Sequence, residues 1–139
     1  MRGLFKHYLN ISTAIFLFVG CQNPKEKTST PKHSLDNTSW ELIAFANHDL
    51  EGTTITLNFE TEKLHGLGVC NNYFSLFSYQ ANKITIQAVG ATRKMCAKNS
   101  KLEIDYFKIL SNTSSYEIKD NLLIIENRLG KLEYKKVSP

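Results

Sequence analysis

One run, Gly66-Leu-Gly-Val-Cys-Asn-Asn-Tyr-Phe-Ser-Leu-Phe-Ser-Tyr79, restricts the fold more than any other part of the chain. Two glycines ahead of a cysteine call for a sharp turn or a close approach of backbone segments, which a residue without a Cβ allows. From Tyr73 to Tyr79 the aromatic density is that of a strand lying on a core. The segment Thr92-Arg-Lys-Met-Cys96 holds the only other cysteine downstream of residue 21. The expectation is that these two segments are tied together and hold the fold.

The N-terminus carries an address. Arg2, Lys6 and His7 form a positive n-region, and Leu9 to Val19 form an apolar stretch broken only by Asn10, Ser12 and Thr13. The pattern is that of a secretory signal over residues 1–20, and its apolar part is shorter than the about 20 residues a bilayer-spanning helix needs. Phe18-Val-Gly-Cys21 resembles the bacterial lipobox, with Phe18 where an aliphatic residue is usual. Cys21 is therefore the expected site of diacylation and palmitate attachment. The alternative is an ordinary cleaved signal with an incidental cysteine. Residues 21–34 contain two prolines and no large apolar side chain, which reads as a flexible tether. A folded domain is expected over 35–139. With no aspartate after Cys21, the expected location is a lipid-anchored protein of the bacterial envelope, at the outer membrane and facing the periplasm.

Of 139 residues, 42% are apolar, enough for one domain with its own core. The formal charge is +4, but the first twenty residues contribute Arg2 and Lys6 and no acid. The rest is close to balanced, with no basic face interleaved with aromatics, so nucleic acid is not an expected partner.

Thr38 to Phe45 alternates as a first strand, with Trp40, Leu42 and Ala44 on one face. Thr53 to Phe59 alternates strictly, Ile55, Leu57 and Phe59 inward. Ser75–Tyr79 and Lys83–Ile86 form a hairpin, as do Tyr116–Lys119 and Leu122–Ile125 around Asp120-Asn121. Lys131–Val137 is a last strand with Leu132 and Tyr134 on one side. The period changes only once. Ser100 and Glu103 match a capping box, and Leu102, Tyr106, Ile109 and Leu110 recur at helical spacing. The predicted class is α+β: an antiparallel sheet or partial barrel of seven or eight short strands with one main helix at about 101–111.

Only three cysteines exist, and lipid claims Cys21, so Cys70 and Cys96 make an even pair. An exported protein meets an oxidising compartment in which such pairs persist as disulfides. The rival is two free buried thiols packed as small apolar residues.

Gly66, Cys70-Asn71, Thr92-Arg93, Met95-Cys96-Ala97 and Asn99, followed by an amphipathic helix, resemble the META domain of the HslJ-like heat-shock lipoproteins. The resemblance runs from Leu35 to Val137, with Val69 where a glycine is common before the first cysteine. The family motif falls on Gly66, Cys70, Asn71, Thr92, Arg93, Met95 and Cys96 of this chain. The resemblance implies a link to heat-shock response and novobiocin tolerance in bacteria, and to virulence or motility in trypanosomatid parasites. It implies no catalytic residue and no cofactor.

A nucleophilic Cys70 needs a base, and neither His48 nor His65 lies in a recognisable motif. A zinc set of Cys70, Cys96, His65 and His48 lacks the expected ligand spacing. No metal, cofactor or catalytic residue is assigned. Glu60 and Glu62 read as a solvated charge pair. Tyr73, Phe74, Phe77 and Tyr79 read as core, with a ligand surface as the alternative. Arg93 and Lys94 read as exposed loop side chains, with a positive spot for an anionic partner as the alternative. The expected function is a non-enzymatic, stress-related binding or stabilising module with an unknown protein or small-molecule partner. The alternative is an inhibitor of a hydrolase such as a lysozyme or protease.

Overall fold

The computed structural model describes residues 34–96 and 98–138. The signal, Cys21 and the tether up to residue 33 lie outside the described residues. In chain order the elements are β1 (Thr38–Phe45), β2 (Thr56–Phe59), β3 (Lys63–Leu67), β4 (Asn72–Gln80), β5 (Lys83–Ile86), β6 (Gly90–Ala91), α1 (Ser100–Ser111), β7 (Tyr116–Lys119), β8 (Leu122–Asn127) and β9 (Gly130–Val137). The strands run in the spatial order β5-β4-β3-β2-β1-β9-β8-β7, all antiparallel, and β6 adds a short pairing on β4.

The two ends of that order meet. Ile84 N–H donates to Ser114 O at 3.1 Å and Tyr116 N–H to Asn82 O at 3.0 Å, beside a bridge between Lys83 and Ser115. The sheet is thereby nearly closed, which removes most of the unpaired edge that an open sheet exposes. The predicted class is observed: α+β, a partial barrel of eight principal strands with one helix.

Alternation supplies the interior. Leu57 and Phe59 of β2, Tyr73 and Phe77 of β4, Leu123 and Ile125 of β8, and Leu132 and Tyr134 of β9 are all buried. The first strand departs from simple alternation. Its register against β9 slips between Leu42 and Ala44, a bulge that puts two residues opposite one. Ile43 and Ala44 both face out, and Phe45 instead of Ala44 returns to the core. The predicted Ala44 contact is corrected accordingly. The strand expected over Thr53–Phe59 is regular only over Thr56–Phe59, although Ile55 O still accepts from Leu42 N–H at 2.9 Å and Ile55 is buried as its pattern required.

Helix α1 lies across the mouth of the barrel formed by the ends of β1, β3 and β8. His48 beyond β1 meets Asp105, Gly68 beyond β3 meets Phe107, and Asn127 Nδ2 donates to Ile109 O at 3.0 Å. Leu102, Tyr106, Ile109 and Leu110 form its buried stripe, as the spacing predicted. Tyr73 Oη–H donates to Thr56 O at 2.7 Å, so Tyr106 donates to Tyr73 at 2.7 Å and Tyr134 to Tyr106 at 3.2 Å. A directed chain of three hydroxyls thus crosses the core with every donor used.

Candidate functional site

The motif residues converge where the β3–β4 loop, the segment after β6 and the first turn of α1 meet. Gly66 is needed for a close approach. A Cβ there would overlap the Thr56 carbonyl oxygen and lie 2.8 Å from Tyr73 Oη. Gly68 is needed for the same reason, because its Cβ would stand 2.7 Å from Glu103 Oε1. Neither glycine has a positive φ, so proximity and not a turn explains both.

Cys70 and Cys96 are joined as a disulfide, with their Cα atoms 6.1 Å apart, within the ordinary span of such bonds. The pairing expected from cysteine arithmetic is present. Beside it, Asn71 uses both ends of its amide. Its Oδ1 accepts from Thr92 Oγ1 at 2.8 Å and from Lys94 N–H at 2.7 Å, and its Nδ2 donates to Glu103 Oε2 at 2.6 Å. One buried side chain therefore ties the loop to the cysteine segment and to the helix.

Glu103 is the hub that sequence reasoning missed. It is only 6% exposed. Oε1 accepts from the backbone N–H groups of Cys70 and Asn71, both at 2.9 Å. Burial pushes this carboxyl up, but the Asn71 amide and the loop N–H groups outweigh it and hold the group below the ordinary glutamate range. The predicted capping box is corrected by this geometry. Asn99 occupies the cap with φ 60 and makes no side-chain cap bond, and Glu103 turns into the loop instead of back along the helix. Charge-assisted bonds in a dry site outweigh one bond at a solvated helix end. A signal was available. Glu103 falls on the same stripe as Tyr106 and Leu110, where an acid must have a buried partner.

The remaining candidates separate. Arg93, Lys94 and Met95 project outward, and Met95 is 100% exposed. The histidines do not join the cysteines: His48 Nε2 lies 3.6 Å from Asp105 Oδ2, and His65 Nε2 lies 3.2 Å from Glu60 Oε1. Glu60 thus lies against the His65 ring, and Glu62 occupies the β2–β3 turn with φ 62. Of the aromatics, Tyr73 and Phe77 are buried and Tyr79 is half-buried, but Phe74 is 65% exposed. Adjacent strand residues point to opposite faces, so Tyr73 and Phe74 cannot share the core. With Leu76 and Ala88, Phe74 lines an open groove of about 450 Å³ rimmed by Lys63, His65 and Gln87. A larger hollow of about 600 Å³ beside β1 is lined by Ile43, His48 and Leu50 among the charged Asp49, Lys131 and Glu133.

A model of the META domain matches residues 33–137. The chain belongs to the META domain family. Among solved structures, this META domain is similar to a protein from Burkholderia xenovorans, with a TM-score of 0.62 and 21% identity. That match covers 76% of this chain and 85% of the other. It is also similar to a DUF4847 family protein from Bacteroides vulgatus, with a TM-score of 0.53, 11% identity, and 73% and 93% of the two chains covered. At such identities the likeness concerns the fold alone. No curated protein matches the sequence. Of the residues that carry the resemblance, Cys70, Asn71, Thr92 and Cys96 form a clamp with Glu103, Gly66 lies against Thr56 and Tyr73, and Arg93 and Met95 stand outside it.

Proposed function

We propose that this META domain protein is a non-enzymatic binding module of the bacterial envelope, held at the outer membrane by lipid on Cys21 and serving in a stress response. The observation that carries the reading is the groove over β3 and β4. Phe74 and Leu76 leave the core to line a concave surface of about 450 Å³, with polar side chains at its rim. An apolar floor with a few polar rim groups is the usual build of a site for a small apolar ligand or an inserted side chain. The clamp supports the same reading. The Cys70 sulfur is bonded to Cys96, and the Glu103 carboxylate accepts three hydrogen bonds from the loop. Neither is poised as nucleophile or base.

The inhibitor alternative is favoured by a separate observation. Asn71 holds the backbone of Lys94 at its N–H, with its Nδ2 3.4 Å from Lys94 O. Arg93, Lys94 and Met95 are presented on this fixed support three residues or fewer from the disulfide, as a loop inserting into a hydrolase cleft would be.

A photo-crosslinking residue at position 74, in the full lipoprotein expressed in its own cells, tests the first reading. The expected result is one discrete adduct that disappears with Leu76→Ser, and a Phe74→Ser/Leu76→Ser strain as heat-sensitive as the deletion. Adducts appearing from position 94 and not from 74 would transfer support to the inhibitor reading. No adduct from either position, with full heat tolerance in the double variant, sinks both.

A further inference from the structure

A third donor flanks the disulfide. Cys70 Sγ, Cys96 Sγ and a carboxylate oxygen of Glu103 lie within 4.8 Å of one another, with Glu103 Oε2 3.5 Å from Cys96 Sγ. Two sulfurs and one carboxylate oxygen are the donor types of zinc sites, which take three protein ligands when a fourth position is left open. We infer that the reduced domain holds one thiophilic divalent cation of the zinc class on Cys70, Cys96 and Glu103. This differs from the four-residue set considered from sequence, because His48 and His65 are engaged elsewhere with Asp105 and Glu60.

The geometry needs little adjustment. At ordinary zinc–sulfur lengths, two sulfurs on a tetrahedral ion stand about 3.8 Å apart. Cysteines with Cα atoms 6.1 Å apart reach that separation by side-chain rotation alone. The carboxylate is already oriented. Cys70 and Asn71 N–H groups hold Oε1, and Asn71 Nδ2 takes one lone pair of Oε2, whose other lone pair serves the cation. Outer hydrogen bonds of this kind fix metal ligands in place.

The chemistry balances in two steps. A dithiol gives two electrons and two protons to the S–S bond, leaving two protein thiols, and closes into its own disulfide. The cation then replaces both thiol protons, which leave to solvent, and forms two metal–sulfur bonds. Thiolate donors favour zinc, cadmium and cobalt over magnesium and calcium.

The test uses the full chain in detergent with Cys21→Ser, which removes the third thiol. The protein is reduced with a phosphine, freed of it without air, and titrated with cobalt(II). The expected result is a thiolate-to-cobalt charge-transfer band that saturates at one equivalent, is bleached by zinc, and is missing from the oxidised protein. Zinc should also slow re-formation of the disulfide by oxidised glutathione. Cys96→Ser should lose the band, and Glu103→Gln should keep it with weakened zinc uptake. Where the glutamine variant loses its circular dichroism, Glu103→Asp replaces it. No band from reduced, folded protein overturns the inference. So does a band that survives the Cys70→Ser/Cys96→Ser change, or zinc affinity unaltered in both Glu103 variants.

Discussion

Replacing Glu103 by glutamine changes one atom type and should undo the clamp. The carboxylate accepts from Cys70 N–H and Asn71 N–H through Oε1 and from Asn71 Nδ2 through Oε2. Glutamine keeps one acceptor. If its oxygen faces the two backbone N–H groups, its amide nitrogen opposes Asn71 Nδ2 across 2.6 Å, donor against donor. Asn71 cannot flip to relieve this, because its Oδ1 is held by Thr92 Oγ1 and Lys94 N–H. Two bonds therefore lose their charge, worth about 1 kcal/mol each, and a buried donor is left unpaired at about 1–3 kcal/mol. The expected loss at neutral pH is about 3–5 kcal/mol, a large share of the about 5–15 kcal/mol of a typical domain. Urea unfolding should show it as a lower midpoint with an unchanged slope. The pH dependence is a second check. The folded carboxyl titrates below its unfolded value, so the unfolded chain binds the proton first as pH falls. Stability is then fully present above the ordinary glutamate pKa, about 4.3, and is lost as pH falls through the lower folded value. Glutamine has no such limb, so the two stability curves should converge in acid. A variant within about 0.5 kcal/mol of wild type at pH 7, or a difference that does not change with pH, refutes the reasoning.

Reducing Cys70–Cys96, or changing both to alanine, reopens a span of 26 residues and should lower stability by about 3.5 kcal/mol in the chain-entropy account; an unchanged melting temperature under reductant argues against this. Burial pushes Tyr106 up to about 12 and lifts Tyr73 and Tyr134 well above 10.0. Folded protein should therefore show three tyrosines whose ionisation in an alkaline absorbance titration is delayed well past 10.0, with stability intact below 10.0 and falling as pH rises past it; ordinary titration of all of them in folded protein contradicts the hydroxyl chain. Gly66→Ala should force β2 from β3 by overlap with Thr56 O and cost about 3 kcal/mol, whereas a variant as stable as wild type would mean that the loop moves freely.

What was legible in the sequence was whatever one element decides by itself. Leu57 and Phe59 are buried because a strand alternates, and Leu102, Tyr106, Ile109 and Leu110 because a helix turns. The disulfide was legible from counting cysteines and from the compartment an export signal implies. Less visible was anything decided between elements. The bulge at Ile43 and Ala44 depends on the register of β9, a partner almost ninety residues away in the chain. Glu103 looked like a local cap because Ser100 stands three residues before it, and its true partners lie in a loop more than thirty residues upstream. Phe74 was grouped with its aromatic neighbours, although alternation alone would have turned it outward.

The motif residues divide by what they touch. Gly66 and Gly68 allow backbone and carboxylate to approach, Cys70 and Cys96 bond to each other, and Asn71 and Thr92 bond across the junction. Stability explains each of these. It does not explain Met95, whose side chain is fully exposed and therefore packs against nothing. A flexible apolar side chain in water gains nothing from burial in this fold, yet the clamp fixes the backbone on both sides of it through Lys94 and Cys96. Ordering a loop costs conformational entropy, and the clamp meets that cost before any partner arrives. A pre-ordered loop tipped with Arg93, Lys94 and Met95 binds with less entropy left to lose. On the inhibitor reading proposed above, the rigidity of the junction would serve the segment it projects as well as the helix it ties to the sheet, and that role would give the exposed Arg93, Lys94 and Met95 their physical reason.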